Sequence, residues 1–138
     1  MVRHINDRML DAVSEGTTLM SAYTEFMIAV DKEQFVSYFV DAWDAYYNSK
    51  LANEEERKEY LAMDINNRMR IMKENGEHMA DHLWNKFYGY RYDFGRLWRN
   101  MDLNNRKIAL IATLFFFEDK RASYANTPVY GEIYKIIG

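Results

Sequence analysis

The spacing of apolar residues, which recur every three or four positions along most of the chain, constrains the fold more than any other feature. The 138 residues include one proline, at position 128, and six glycines. These are too few turn-forming residues for a sandwich or barrel of many short strands. We therefore predict an all-α fold, a compact bundle of five to seven helices in a single domain spanning residues 1–138.

Several polar residues mark where helices should begin and end. Asp31 followed three residues later by Gln34 resembles a capping box, and Asn53 precedes three glutamates that suit the positive end of a helix. The helix that begins at Asn53 is expected to end at the pair Asn75-Gly76, with the next helix beginning directly after it. Because no linker and no internal repeat is expected, these helices are assigned to one domain.

The most apolar run and the two ends of the chain show no sign of a membrane-spanning or secretory segment. Residues 108–117, the most apolar run, number ten, whereas a membrane span needs about 20, so they predict a buried core helix. The first residues lack the apolar region of a secretory signal, so we expect a cytoplasmic protein with no membrane partner. The tail, residues 129–138, fits either a helical turn or a β-strand, and its structure is left open.

Charge and cysteine usage narrow the classes of function. Cysteine is absent, which excludes disulfides, zinc ribbons, iron–sulfur clusters and a cysteine nucleophile. The formal net charge of −3 provides no overall basic field to attract nucleic acid. Residues 1–69 carry a net −6 and residues 70–138 a net +3, an opposition that suits a self-complementary homodimer.

The segment 84–99 combines seven aromatic residues with four basic ones and a single acid. Tryptophan, tyrosine and arginine are the strongest anchors of protein interfaces, so this segment is our candidate partner-binding site. The same composition suits stacking on single-stranded nucleic acid, or a core with arginines laid along it. The candidate partner-binding residues are Trp84, Tyr88, Tyr90, Arg91, Tyr92, Arg96, Trp98 and Arg99.

His78 and His82 are the candidate metal ligands. A spacing of four places both imidazoles on one face of a helix, within reach of one metal ion. Both lie off the apolar stripe that this helix is predicted to bury, which consists of Met79, Leu83, Phe87 and Tyr90. The one other histidine is His4. The alternative is a pair of solvated or structurally paired histidines with no metal-binding role, and no cofactor is otherwise expected.

The sequence contains no recognisable catalytic motif, because its serines and carboxylates lack partners at diagnostic spacing. Our leading hypothesis is a non-enzymatic interaction module, acting as a homodimer, that regulates or inhibits a protein partner by occlusion. The composition is compatible with a phage or mobile-element accessory protein directed against host or defence proteins. The alternatives are a nucleic-acid-binding regulator that uses residues 84–99 and a metal-dependent helical-bundle protein that uses His78 and His82.

Overall fold

The computed structural model describes residues 3–90 and 92–138, and within these ranges the chain forms nine α-helices and no β-strand. The all-α prediction is confirmed. Two 3-10 turns, Thr17–Leu19 and Tyr88–Tyr90, join some of the helices. The α-helices are α1 (Asp7–Glu15), α2 (Met20–Ala29), α3 (Lys32–Asn48), α4 (Glu54–Ala62), α5 (Ile65–Phe87), α6 (Phe94–Arg99), α7 (Leu103–Asp119), α8 (Arg121–Tyr124) and α9 (Pro128–Ile137).

The helix starts at α3 and α4 follow from the capping residues in the sequence. The Asp31 side chain accepts a hydrogen bond from the Gln34 backbone amide at 2.8 Å, and the Gln34 side chain accepts one in return at 3.0 Å. This reciprocal pair is a complete capping box. The Asn53 side chain accepts from the amide of Glu55 at 2.9 Å, so α4 begins where the sequence indicates.

The region 54–87 holds the two expected helices, but the boundary between them lies near residue 63 and not at residues 75–76. The predicted fourth helix breaks at Asp64, whose side chain accepts a hydrogen bond from the Asn67 amide at 2.9 Å and starts α5. The predicted stop at Asn75-Gly76 is wrong, because α5 continues through both residues and Gly76 does not adopt the positive φ of a helix-ending glycine. A Cβ at Gly76 would stand 3.4 Å from Val40 Cγ2, an ordinary contact distance, so Gly76 lies on the face of α5 that packs against α3.

The core is built around α3, which packs against both α5 and α7. Residues 108–117 of α7 are all buried, which confirms that the most apolar run is a core helix. Aromatic rings join the helices in this core: the Phe26 ring centroid lies 5.8 Å from that of Phe35 and 5.2 Å from that of Phe116. No helix in the described ranges is both long enough and apolar enough to cross a membrane.

The tail is a helix of ten residues, α9, rather than a single turn or a strand. Thr127 caps it by accepting a hydrogen bond from the Tyr130 amide at 3.1 Å, and Pro128 occupies the first helical turn, where a missing N–H costs nothing. Tyr130 and Ile133 are buried, and α9 packs against α1, α2 and α7. Its apolar residues therefore complete the core.

Candidate interaction surface

Trp84 is part of the core and not of an exposed surface. Its exposed fraction is 8%, and its ring centroid lies 5.3 Å from that of Phe35 on α3 and 4.4 Å from that of Tyr88. Of the interpretations open for residues 84–99, core packing therefore applies to this residue. Trp84, one of the candidate partner-binding residues, therefore presents almost no surface to a partner, because its ring is covered by the protein itself.

The tyrosines that follow α5 lie at the surface. Tyr88, Tyr90 and Tyr92 are 39%, 37% and 68% exposed. The Arg96 guanidinium lies over the Tyr90 ring, 5.3 Å from its centroid, and Arg96 Nε is 3.6 Å from Asp93 Oδ2. The segment after α5 thus presents large aromatic rings to solvent, and the Tyr90 ring is held against Arg96.

Trp98 connects this segment to the core. It is half-buried, its ring lies against Gly16, and both residues line a small cavity of about 210 Å³ together with Leu110. The Arg106 guanidinium lies 5.1 Å from the Trp98 ring centroid, and Arg106 Nε donates a hydrogen bond to the Trp98 carbonyl at 2.9 Å. Trp98 is therefore held by contacts within the protein and is only partly available to a partner.

The remaining candidates of the segment complete the surface. Arg96 and Arg99 are exposed on α6, whereas Arg91 lies outside the described residues. Residues 84–107 carry six basic and two acidic side chains, a net +4, while the rest of the chain carries a net −7. We call Tyr88, Tyr90, Tyr92, Arg96 and Arg99 the basic–aromatic surface.

His78 and His82 are exposed on α5, as their position off the apolar stripe predicts. Asp81, which lies between them in sequence, forms a salt bridge with Lys32, and a hydrogen bond from Lys32 holds the pKa of Asp81 below its ordinary value. Across residues 3–90 and 92–138, no three histidine, cysteine or acidic side chains come together in a group that could hold a metal ion. His4 lines a cavity beside Asp44 and Arg68, and neither His78 nor His82 contributes to its wall.

The expectation of no internal repeat is wrong. The hexapeptide MDINNR at residues 63–68 returns as MDLNNR at residues 101–106, and an aromatic residue precedes each copy at the same distance, Tyr60 and Trp98. We call residues 60–68 the first corner and residues 98–106 the second corner. The signal was visible in the sequence, but the two copies are separated by most of α5 and by α6.

The two corners adopt the same local structure. Asp64 accepts hydrogen bonds from the backbone amide and the side-chain amide of Asn67, both at 2.9 Å, and Asp102 accepts the same pair from Asn105 at 2.9 and 3.0 Å. The first helical residue is 63% exposed in both corners, as Ile65 and as Leu103. In each corner the arginine lies over the preceding aromatic ring, Arg68 over Tyr60 at 5.7 Å and Arg106 over Trp98 at 5.1 Å.

Each corner borders a cavity beside α3. The second corner and the α3 residues Trp43 and Tyr47 line an open cavity of about 460 Å³, and the first corner and the α3 residues Asp44 and Asn48 line an open cavity of about 530 Å³. Sequence reasoning missed both cavities, because the walls on α3 are distant in sequence from the corners.

Comparisons with protein-family models, curated proteins and solved structures return no match.

Proposed function

We propose that the protein is a non-enzymatic interaction module that captures a protein partner on the basic–aromatic surface and regulates or inhibits it by occlusion. The observation that carries this proposal is the exposure of Tyr88, Tyr90 and Tyr92 together beside Arg96 and Arg99. Tyrosines are rigid, lose little conformational entropy on binding, and supply large contact areas with a polar tip. Exposed aromatic rings at this density support a binding surface.

The charge of the region supports an acidic partner. The net +4 of residues 84–107 stands against a net −7 on the rest of the chain, so the surface attracts negative charge while the remainder repels it. An acidic protein face therefore fits the orientation of this field. If the chain is a phage or mobile-element accessory, as its composition suggests, the partner belongs to the host or its defence.

Nucleic acid is the less favoured occupant, because several cations of the region are engaged within the protein. Arg96 is held between Asp93 and Tyr90, Arg106 donates to the Trp98 carbonyl, and Lys107 donates to the Leu51 carbonyl at 3.3 Å. A phosphate backbone is bound best by a continuous row of cations directed to solvent. The interspersed acids and the internal pairing suit a defined protein contact.

Native mass spectrometry of tag-free protein from the cells that make it tests this proposal. We expect a stoichiometric protein partner that is lost on Arg96→Glu and on Tyr92→Ser. The matched control is Lys58→Glu, a charge reversal at an exposed position of α4, which should retain the partner.

Two results would overturn the proposal. One is a bound oligonucleotide whose affinity falls steeply between about 50 and 200 mM salt, which would identify the surface as a nucleic-acid interface. The other is a partner that both surface variants retain, which would place the contact elsewhere on the molecule.

A further inference from the structure

The geometry points to a second binding site: we propose that the cavity between α3 and the second corner binds an organic cation, a guanidinium or ammonium group, between Trp43, Tyr47 and Asp102. This cavity has a volume of about 460 Å³, and its remaining walls are Met79, Asn104, Asn105, Leu103 and Ile108. The proposal is independent of the basic–aromatic surface, because none of these residues belongs to it.

Two aromatic rings form the α3 wall of the cavity. The Trp43 and Tyr47 ring centroids are 5.4 Å apart at an interplanar angle of 49°, so the rings are inclined to each other rather than stacked face to face. Both side chains are half-buried, which leaves part of each ring accessible from the cavity. Aromatic faces of tryptophan and tyrosine attract cations, and the attraction increases where water is partly excluded.

The electrostatic field of the cavity favours positive charge. Asp102 lines it, and its lining, as far as the structure describes the chain, contains no lysine, arginine or histidine. Burial and the negative charges of Glu56 and Asp102 together raise the pKa of Tyr47, so both carboxylates act on this site. An anion is a poor alternative, because Asp102 already occupies the positive end of α7 as its cap.

The first corner shows the same chemistry satisfied from within the chain. There the cavity is lined by Asp44, which accepts a hydrogen bond from the Tyr60 hydroxyl, and by Arg68, whose guanidinium lies 5.7 Å from the Tyr60 ring centroid. A carboxylate, a tyrosine ring and a guanidinium thus meet in one place. At the second corner the equivalent Arg106 lies over Trp98 and is not part of the cavity wall. No cationic side chain of the described residues lines the second cavity, so the cation that we propose for it comes from another molecule.

Such a cation has two sources, an arginine or lysine side chain of a polypeptide and a free small amine. Four probes distinguish them: an arginine-containing pentapeptide, N-acetyl-argininamide, its neutral isostere N-acetyl-citrullinamide, and agmatine. The readout is the indole N–H signal of each tryptophan in a two-dimensional NMR spectrum, assigned by Trp43→Phe. The Trp43 ring lines the cavity, so a group that binds against this ring changes the chemical environment of its indole N–H.

We expect the cationic probes to shift the Trp43 signal in a saturable way and the citrulline compound to leave it unchanged. Asp102→Asn should weaken binding about fivefold, the equivalent of one partly exposed charge pair. Asp64→Asn is the matched control, because it makes the same change in the same capping motif of the first corner and should leave binding unaffected. Asparagine caps helices as well as aspartate does, so both variants keep their fold, which circular dichroism verifies.

A tighter response to the pentapeptide than to agmatine identifies a polypeptide side chain as the source, and equal responses identify a free amine. The proposal is overturned if argininamide leaves the Trp43 signal unmoved at tens of millimolar. It is also overturned if citrullinamide binds equally well, or if Asp102→Asn binds argininamide as tightly as the unaltered protein.

Discussion

Asp102 accepts two hydrogen bonds from Asn105, one from its backbone amide at 2.9 Å and one from its side-chain amide at 3.0 Å. Asp64 and Asn67 form the same pair in the first corner. Replacing either aspartate with alanine removes the cap of α7 or α5, and we expect each change to lower the free energy of unfolding by about 1 kcal/mol. Urea denaturation of the two variants checks this.

The corresponding asparagine variants, Asp64→Asn and Asp102→Asn, should lose less than half of that amount because the capping oxygen remains. If the alanine variant of one corner is as stable as the unaltered protein while that of the other is not, the two corners are not energetically equivalent.

Gly16 and Gly131 provide a pair of glycine-to-alanine changes with opposite expected signs. Gly16 ends α1 in the left-handed region at φ 76°, where a Cβ is strained, so Gly16→Ala should destabilise the protein by about 1 kcal/mol. Gly131 lies within α9, and no atom stands within 4 Å of a Cβ added there. Gly131→Ala should therefore stabilise by about 0.5–1 kcal/mol. Thermal unfolding of both variants measures the two signs, and shifts in the same direction would contradict this prediction.

The hydrogen bond between Tyr60 and Asp44 joins α4 to α3 in a buried position. Tyr60→Phe leaves the buried Asp44 carboxylate without this donor, so we expect a loss of roughly 1–3 kcal/mol in the free energy of unfolding. Tyr134→Phe removes the same hydroxyl from an exposed ring of α9 and should change stability by less than about 0.5 kcal/mol. Equal losses in urea denaturation of the two variants would show that the Asp44 contact contributes nothing specific.

Alkaline pH should lower the stability of the protein. Burial, as the largest cause, raises the pKa of Tyr38 and of Tyr46 to about 12. An unfolded tyrosine titrates near pH 10, so the native state retains protons that the unfolded state loses. Stability should be constant up to about pH 10 and fall between pH 10 and 12. Denaturant unfolding across this range, with tyrosinate absorbance at 295 nm, tests the sign, and a flat profile to pH 12 would refute it.

Much of the fold could be predicted from local signals. The capping pairs at Asp31 and Asn53 define helix starts by themselves, because the hydrogen bonds that satisfy the first turn come from neighbours in sequence. The break at Asp64 could not be read from apolar spacing, since Leu61, Ile65 and Met69 maintain a period of four across it. At that point the cap outweighs the continuing periodicity.

Exposure was harder to predict than helix content. Trp84 and Tyr92 belong to the same segment rich in aromatic and basic residues, yet Trp84 packs against α3 and Tyr92 lies at the surface. Which of them faces solvent depends on where α5 ends, and that is set by tertiary packing rather than by residue type. The cavity of the second corner was beyond sequence reasoning for a related reason, since the Trp43 and Tyr47 rings reach it from another helix.

Gly76 has a mechanical consequence. Because it does not interrupt α5, one helix of 23 residues, about 35 Å long, extends from the first corner to the Tyr88–Tyr90 turn. A hinge at this glycine would have let the two ends tilt separately. Instead, a displacement at the Tyr88–Tyr90 turn is expected to move α5 as one continuous helix, which packs against α3.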